Sequence, residues 1–245
     1  VSRGLGDVYK RQHVSEAFEA LNEGEEKLKR SIELGVGQLK IGVSSTLCKY
    51  MLLPYLKEFI HRNPHISISI ECQSTNETLK LLDDDKIDIG LIGKPTSLKT
   101  FNFYYLDNIE DIFVTTKDYL RNLSARGVKK SEILQNSTLM LLDKGNMTRK
   151  YIDDYLQENQ IHVKDSIDIS NMDLLIDFAK IGVGVACVIK SIVSKELADG
   201  TLIEIPLGIP IHKREVGFAY KESSKLSTSL QTFIKFYESY TPEDF

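Results

Sequence analysis

From Val14 onward the apolar positions recur at helical intervals. Val14, Phe18, Leu21, Leu28 and Ile32 are spaced four, three, seven and four apart, the rhythm of a narrow coiled-coil seam. Glu16, Glu19, Glu23, Lys27 and Arg30 fill the other faces, and Gly35 and Gly37 end the pattern. The spacing suits a surface helix packed on its own domain, but the narrow stripe ahead of a glycine-rich break favours a linker helix over 13–36 suited to dimerisation. The period then drops to two. "QLKIGV" reads as a strand, "LCKYMLLPYLKEFIHRNP" as a helix over 47–61 stopped by Asn63–Pro64, and "HISISIEC" as a second strand. "STNETLKLLDDD" is a helix opened by Ser74, with Glu77 at the capping-box spacing, and "KIDIGLIG" is a third strand.

An extended stretch, "FNFYYLDNIEDIFVTTKDYL", holds two extended segments, the second around Asp111–Thr116, and a polar run follows to Asn136. The alternation then restarts: "STLMLLD", "VKDSIDI", "GVACVIK" and "TLIEIPL" read as strands, "MTRKYIDDYLQENQ", "NMDLLIDFAKIG" and "SIVSKELADG" as helices. "REVGFAYKE" is a last extended run and "LSTSLQTFIKFYESYT" a closing amphipathic helix. Strand–helix–strand order repeated in this way implies parallel sheets with right-handed crossovers. The fold class is α/β, with two Rossmann-like lobes joined by two crossing strands behind a long linker helix. The expected divisions are 13–36 for the linker, 37–110 with 214–245 for the first lobe, and 111–213 for the second. Residues 1–12, "VSRGLGDVYKRQ", change character abruptly at His13 and read as a non-native remnant.

Composition narrows the function classes. The chain has 245 residues, enough for a sizeable core, with 42% hydrophobic and 27% charged residues. A net charge of −4 argues against a protein that coats nucleic acid along its whole surface. The three cysteines, Cys48, Cys72 and Cys187, are far apart in sequence and form no C-x-x-C. That pattern suggests neither a disulfide framework nor a zinc knuckle and suits a reducing cytoplasm. No apolar run approaches the roughly 18–20 residues of a membrane span, and no signal-peptide core is visible. Histidines 13, 61, 65, 162 and 212 are scattered, and no metalloprotease, nucleophile-elbow or P-loop motif occurs. "DDD" at 83–85 reads as a solvated turn.

The ordered blocks "GQLKIGVSST", "LLPYLKEFIHRNPHISISIE", "LLDDDKIDIGLI", "LLDKGNMTRKYIDDYLQ" and "NMDLLIDFAKIGVGVACVIKSIV" resemble LysR-type transcriptional regulators from residue 13 to about 240. The resemblance implies lobes of the type II periplasmic-binding-protein kind, with a small anionic metabolite held between them as effector. It also implies a winged helix-turn-helix upstream of residue 13 that contacts DNA, a homodimer or homotetramer, a cytoplasmic location, and neither enzyme activity, cofactor, metal nor membrane contact. "GNMTR" departs from the family pattern, which carries a small residue and then Gly-Thr-Arg after Gly145. Two other readings share this build: a solute-binding protein of a transport system, and an enzyme on the same fold.

Three helix starts carry the candidate chemistry. Ser44, Ser45 and Thr46 precede the helix over 47–61, Asn146 and Thr148 flank the start of the next, and Ser170 and Asn171 precede a third, with Asp173 in the capping-box position. The first turn of a helix leaves N–H groups unpaired and carries partial positive charge, so several starts converging on one crevice make an anion site. Each of these residues is equally suited to capping alone. Lys94 and Thr96, in "GKPTS" after the third strand, are further effector-binding candidates, with Pro95 marking a turn. Arg149 is expected to face solvent. Gly182 and Gly184 read as a helix stop and a close-packing position rather than a phosphate loop. Cys48 reads as a small apolar core residue.

Overall fold

A computed structural model describes residues 13–25, 37–95, 100–222 and 226–240. Its larger compact unit takes in residues 40–54 and 70–222, and its smaller one lies within 1–39, 55–69 and 223–245. Residues 13–25 are helical (α1), with Val14, Phe18 and Leu21 exposed. Leu28, Ile32 and the rest of the expected linker helix lie outside the described residues, as do residues 1–12.

The strands form two five-stranded sheets, the second of them wholly within the larger unit. The first orders its strands β2-β1-β3-β10-β4, where β1 is Gly37–Val43, β2 Ile66–Cys72, β3 Ile89–Gly93, β4 Phe101–Ile109 and β10 Arg214–Lys221. The second orders them β7-β6-β8-β5-β9, with β5 Asp111–Thr115, β6 Thr138–Leu142, β7 Asp165–Ile169, β8 Val185–Ile189 and β9 Ile203–Glu204. The chain passes between sheets twice, at Glu110 and in the segment between β9 and β10.

The sheets are mixed, which corrects the all-parallel expectation. β1 and β3 run parallel, as do β6 with β7 and β8. The strands that cross do not: β10 is antiparallel to β3 and β4, and β5 is antiparallel to β8 and β9. A strand delivered from the other sheet arrives from the opposite end, so it reverses the local direction without needing a hairpin.

Helices follow the strands as the periodicity requires, with three departures. The run after β1 starts at Ser45, two residues earlier than expected. It comprises α2 (Ser45–Leu47), a π-helical turn over Cys48–Leu52, and α3 (Leu53–Arg62). The polar stretch after β5 contains α5 (Lys117–Ala125) and a short α6 (Ile133–Asn136), which the pattern does not announce because only Leu123 of α5 is buried. "TLIEIPL" contributes just the two residues of β9.

The remaining helices are α4 (Thr75–Asp83), α7 (Met147–Glu158), α8 (Met172–Lys180), α9 (Ser194–Asp199) and α10 (Thr228–Ser239). The capping position of α4 is as expected, since the Ser74 hydroxyl accepts from the Glu77 amide at 3.3 Å. Ser74→Ala should lower the unfolding free energy by about 1 kcal/mol, read by urea denaturation, with Ser74→Gly costing less.

Gly182 ends α8 in the left-handed region at φ +77°, and a Cβ at Gly184 would overlap the Thr138 carbonyl oxygen. Around the second sheet, Phe113, Leu139, Leu141, Ile152, Val185 and Cys187 form one buried cluster. In the smaller unit the rings of Phe59 and Phe233 meet edge to face at 4.9 Å, and Arg62 lies over the Phe236 ring.

Candidate functional site

The ends of β1, β2 and β6 each release the chain into a helix start, and these three starts open on one cavity of about 810 Å³. Ser44, Ser45, Thr46 and Leu47 line it from the first, Gln73, Ser74, Thr75 and Asn76 from the second, and Asn146, Met147 and Thr148 from the third. The position follows from topology: ligands meet α/β sheets beyond the carboxyl ends of their strands, where first-turn amides lack partners.

Within "SST" the labour divides. Ser44 is the cap, in extended backbone with its hydroxyl accepting from the Leu47 amide at 3.3 Å. Ser45 and Thr46 are in the first turn rather than ahead of the helix, and both line the cavity. Asn146 caps α7 by accepting from the Thr148 amide at 2.8 Å. Lys94 also lines the cavity, and its ammonium pairs with Glu215 at 2.5 Å. Thr96 lies outside the described residues.

Three sequence readings are corrected. Asn171 does not reach the cavity; it, and not Ser170, caps α8, accepting from the Leu174 amide at 2.9 Å. Asp173 is therefore not a capping-box residue. It instead receives the Lys49 ammonium at 2.6 Å and the Tyr50 hydroxyl at 2.5 Å, and these contacts hold its carboxyl below the usual range. Arg149 does not face solvent. Its guanidinium is buried beneath α7, bonded to the Leu142 carbonyl, Asp168 and Asp153. It buttresses the β6–α7 turn rather than contributing to the cavity.

Other lining residues had no sequence signal. Arg214, the first residue of β10, donates two hydrogen bonds to Asp111, at 2.7 and 2.8 Å, and a third to the Thr148 hydroxyl at 3.2 Å. Its guanidinium lies 5.2 Å from the Tyr151 ring centre. The Asp111 side chain is fully buried, so burial pushes its carboxyl up against the opposing pull of Arg214. The two residues stand where the chain crosses between sheets, 103 positions apart in sequence. Beside them Glu110 receives Lys213 at 2.9 Å and Lys190 at 3.1 Å, which lower its carboxyl.

A family model for the LysR substrate binding domain matches residues 33–241. The chain belongs to the LysR substrate-binding domain family. The uncharacterized HTH-type transcriptional regulator YeiE of Escherichia coli is 23% identical over 201 residues, covering 82% of this chain and 67% of that protein. The activator CmpR of Synechocystis is 25% identical over 206 residues, covering 82% and 65%. This LysR domain thus spans about two thirds of the length of these curated relatives, which are named as transcriptional regulators, not enzymes. The fold is shared with the Synechocystis CcmR regulatory domain in complex with 2-PG, at TM-score 0.68 and 19% identity over 82% of this chain and 95% of that one. It is shared also with the effector binding domain of QuiR in complex with shikimate, at TM-score 0.65 and 16% identity over 82% and 94%.

The charges of the LysR cavity are mostly internally balanced. Lys94, Lys213 and Arg214 pair with Glu215, Glu110 and Asp111. Lys150 is the lining cation with no ion pair among the described residues, and Asp143 and Asp154 are its unpaired acidic counterparts. The groups of the lining that could meet an anion are therefore the helix-start amides, the Ser45 and Thr46 hydroxyls and Lys150, with Asp143 and Asp154 opposing them. Among the described residues no group of three or more His, Cys, Asp or Glu side chains is placed to hold a metal, and no helix is long and apolar enough to cross a membrane.

Proposed function

We propose that this chain is the effector-sensing and oligomerising part of a LysR-type regulator, acting on DNA through a winged helix-turn-helix that precedes it. On this reading residues 37–110 with 214–245 form one lobe and 111–213 the other, and a small anionic metabolite bridges them. The protein works in the cytoplasm as a homodimer or homotetramer. One observation carries the reading: a single cavity collects first-turn hydroxyls and amides from helices attached to both sheets. The relatives solved with 2-PG and shikimate make a small-molecule effector the natural occupant.

Ser44, Ser45 and Thr46 present the anion site of the first lobe. Asn146 and Thr148 present that of the second, with Lys94 at the rim. A ligand touching both lobes favours the arrangement in which both sets converge, and only that differential affinity can switch the attached DNA-binding part. The test is a thermal-shift screen of small carboxylates and phosphates, followed by calorimetric titration of the best ligand. Ser45→Ala and Thr148→Ala should each weaken binding about tenfold, as expected for a lost hydrogen bond to a charged group. Undiminished affinity in both variants would place the effector elsewhere.

A further inference from the structure

The helical run that brings Ser45 and Thr46 to the cavity continues, one turn on, into Lys49 and Tyr50. Both of these reach the part of the chain that belongs to the second sheet. The Lys49 ammonium lies 2.6 Å, and the Tyr50 hydroxyl 2.5 Å, from the same oxygen, Oδ1 of Asp173. Asp173 is in the first turn of α8, between β7 and β8, whereas the donors stand 124 and 123 positions earlier, just beyond β1. Arg214 with Asp111 and Thr148, and Lys213 with Glu110, tie the sheets at the crossings. The contact at Asp173 belongs to neither crossing segment. Its strength suits a part that opens and closes. The Lys49 and Asp173 side chains are 54% and 47% exposed, so water readily replaces either partner and the ion pair alone holds weakly. The Tyr50 hydroxyl, bonded to the same charged oxygen, adds to it. Both donors lie inside the π-helical turn over Cys48–Leu52, which the Leu53 amide closes on the Cys48 carbonyl five residues back. A π turn takes one residue more than an α turn, so it re-aims the side chains it carries, and such turns are frequent at functional sites. Here Lys49 and Tyr50 meet Asp173 while Ser45 and Thr46 face the cavity.

We propose that Lys49, Tyr50 and Asp173 form a latch that holds the two sheets in the arrangement where the helix starts converge on the cavity, before any effector is bound. The effector then meets a site that is already assembled. With the latch broken, the assembled arrangement is a smaller fraction of the molecules, and apparent affinity falls in proportion to that fraction. Occupation of Ser45 and Thr46 and closure of the latch thereby favour each other, since coupling of this kind is reciprocal. That consequence rests on the cavity being the effector site; the latch itself does not.

Lys49→Met, Tyr50→Phe and Asp173→Ala are compared with the parent, as the full chain without ligand, through the amide resonances of the crossing segments, residues 109–111 and 211–213. Those residues carry none of the substitutions. The expected result is that their resonances move along one common line in all three variants. Tyr50→Phe combined with Asp173→Ala should move them no further than Asp173→Ala alone, because a latch breaks once. Lys49→Met, which changes a half-exposed side chain, keeps the comparison open should another variant fail to fold. Shifts confined to the neighbourhood of each substituted residue would overturn the latch. Inorganic phosphate is then titrated into each protein, and its dissociation constant should be several-fold higher in Asp173→Ala than in the parent. Crossing segments that move while phosphate binds equally, or not at all, in every protein would support the latch and count against the cavity as an anion site. Weaker phosphate binding with unmoved crossing segments would overturn the latch, since the three residues would then act on the anion directly.

Discussion

Replacing Arg214 by methionine should lower the unfolding free energy by about 3–5 kcal/mol, the cost of leaving a buried charge without its partner. Methionine keeps most of the apolar stem, so the loss reports the guanidinium. That group is the sole ion-pair partner of Asp111 among the described residues, and the Asp111 side chain has no exposure through which water could take its place. The variant also carries a pH signature. Without Arg214 the Asp111 carboxyl has only burial acting on it, which raises it further above its value in the unfolded chain, about 4. A carboxyl raised in the folded state favours folding when protonated, and that contribution is lost as pH rises through the folded value. The deficit of Arg214→Met relative to the parent should therefore be largest at pH 7–8 and shrink towards pH 5. Chemical denaturation at several pH values measures it; a deficit constant with pH would mean that Asp111 finds another partner.

That pair illustrates which parts of the molecule a single sequence reveals. β1, β2 and α4 are readable because alternation, an Asn-Pro stop and a serine three residues ahead of a glutamate are local signals, each complete within a few positions. α5 is not, because a helix that buries one leucine leaves almost no apolar stripe. Strand direction in β5 and β10 is hidden as well, since it depends on where the chain re-enters a sheet. The site divides along the same line. Ser44, Ser45, Thr46, Asn146 and Thr148 stand out because they are at helix starts, and helix starts have a composition. Arg214 and Asp111 become a pair only once distant segments are laid side by side. Arg149 shows the converse failure: its place early in α7 suggested solvent, but the carbonyl of Leu142 and two carboxylates compete more strongly for its five donors.

Gly217→Ala is expected to cost about 3 kcal/mol or more, a large effect for adding one methyl group, because overpacking against backbone cannot be relieved by a rotamer change. Gly217 lies within β10, between β3 and β4, where it faces Ile92 on one side and Tyr105 on the other. The pairing with β4 slips at this point, between Val216 and Gly217, and the irregularity brings the neighbouring strand closer than a regular ladder would. A Cβ there would overlap the Tyr104 carbonyl oxygen and press on the Phe103 ring. The ring can turn aside; the carbonyl belongs to β4 and can move only with its strand. Both strands border the crossings between the sheets, and Arg214 lies three residues before Gly217. Two consequences should therefore appear together: a lowered melting temperature, and weaker ligand binding in whatever fraction remains folded. A variant as stable as the parent would show that β4 can withdraw freely. Lowered stability with unchanged affinity would show that the strain stops short of Arg214.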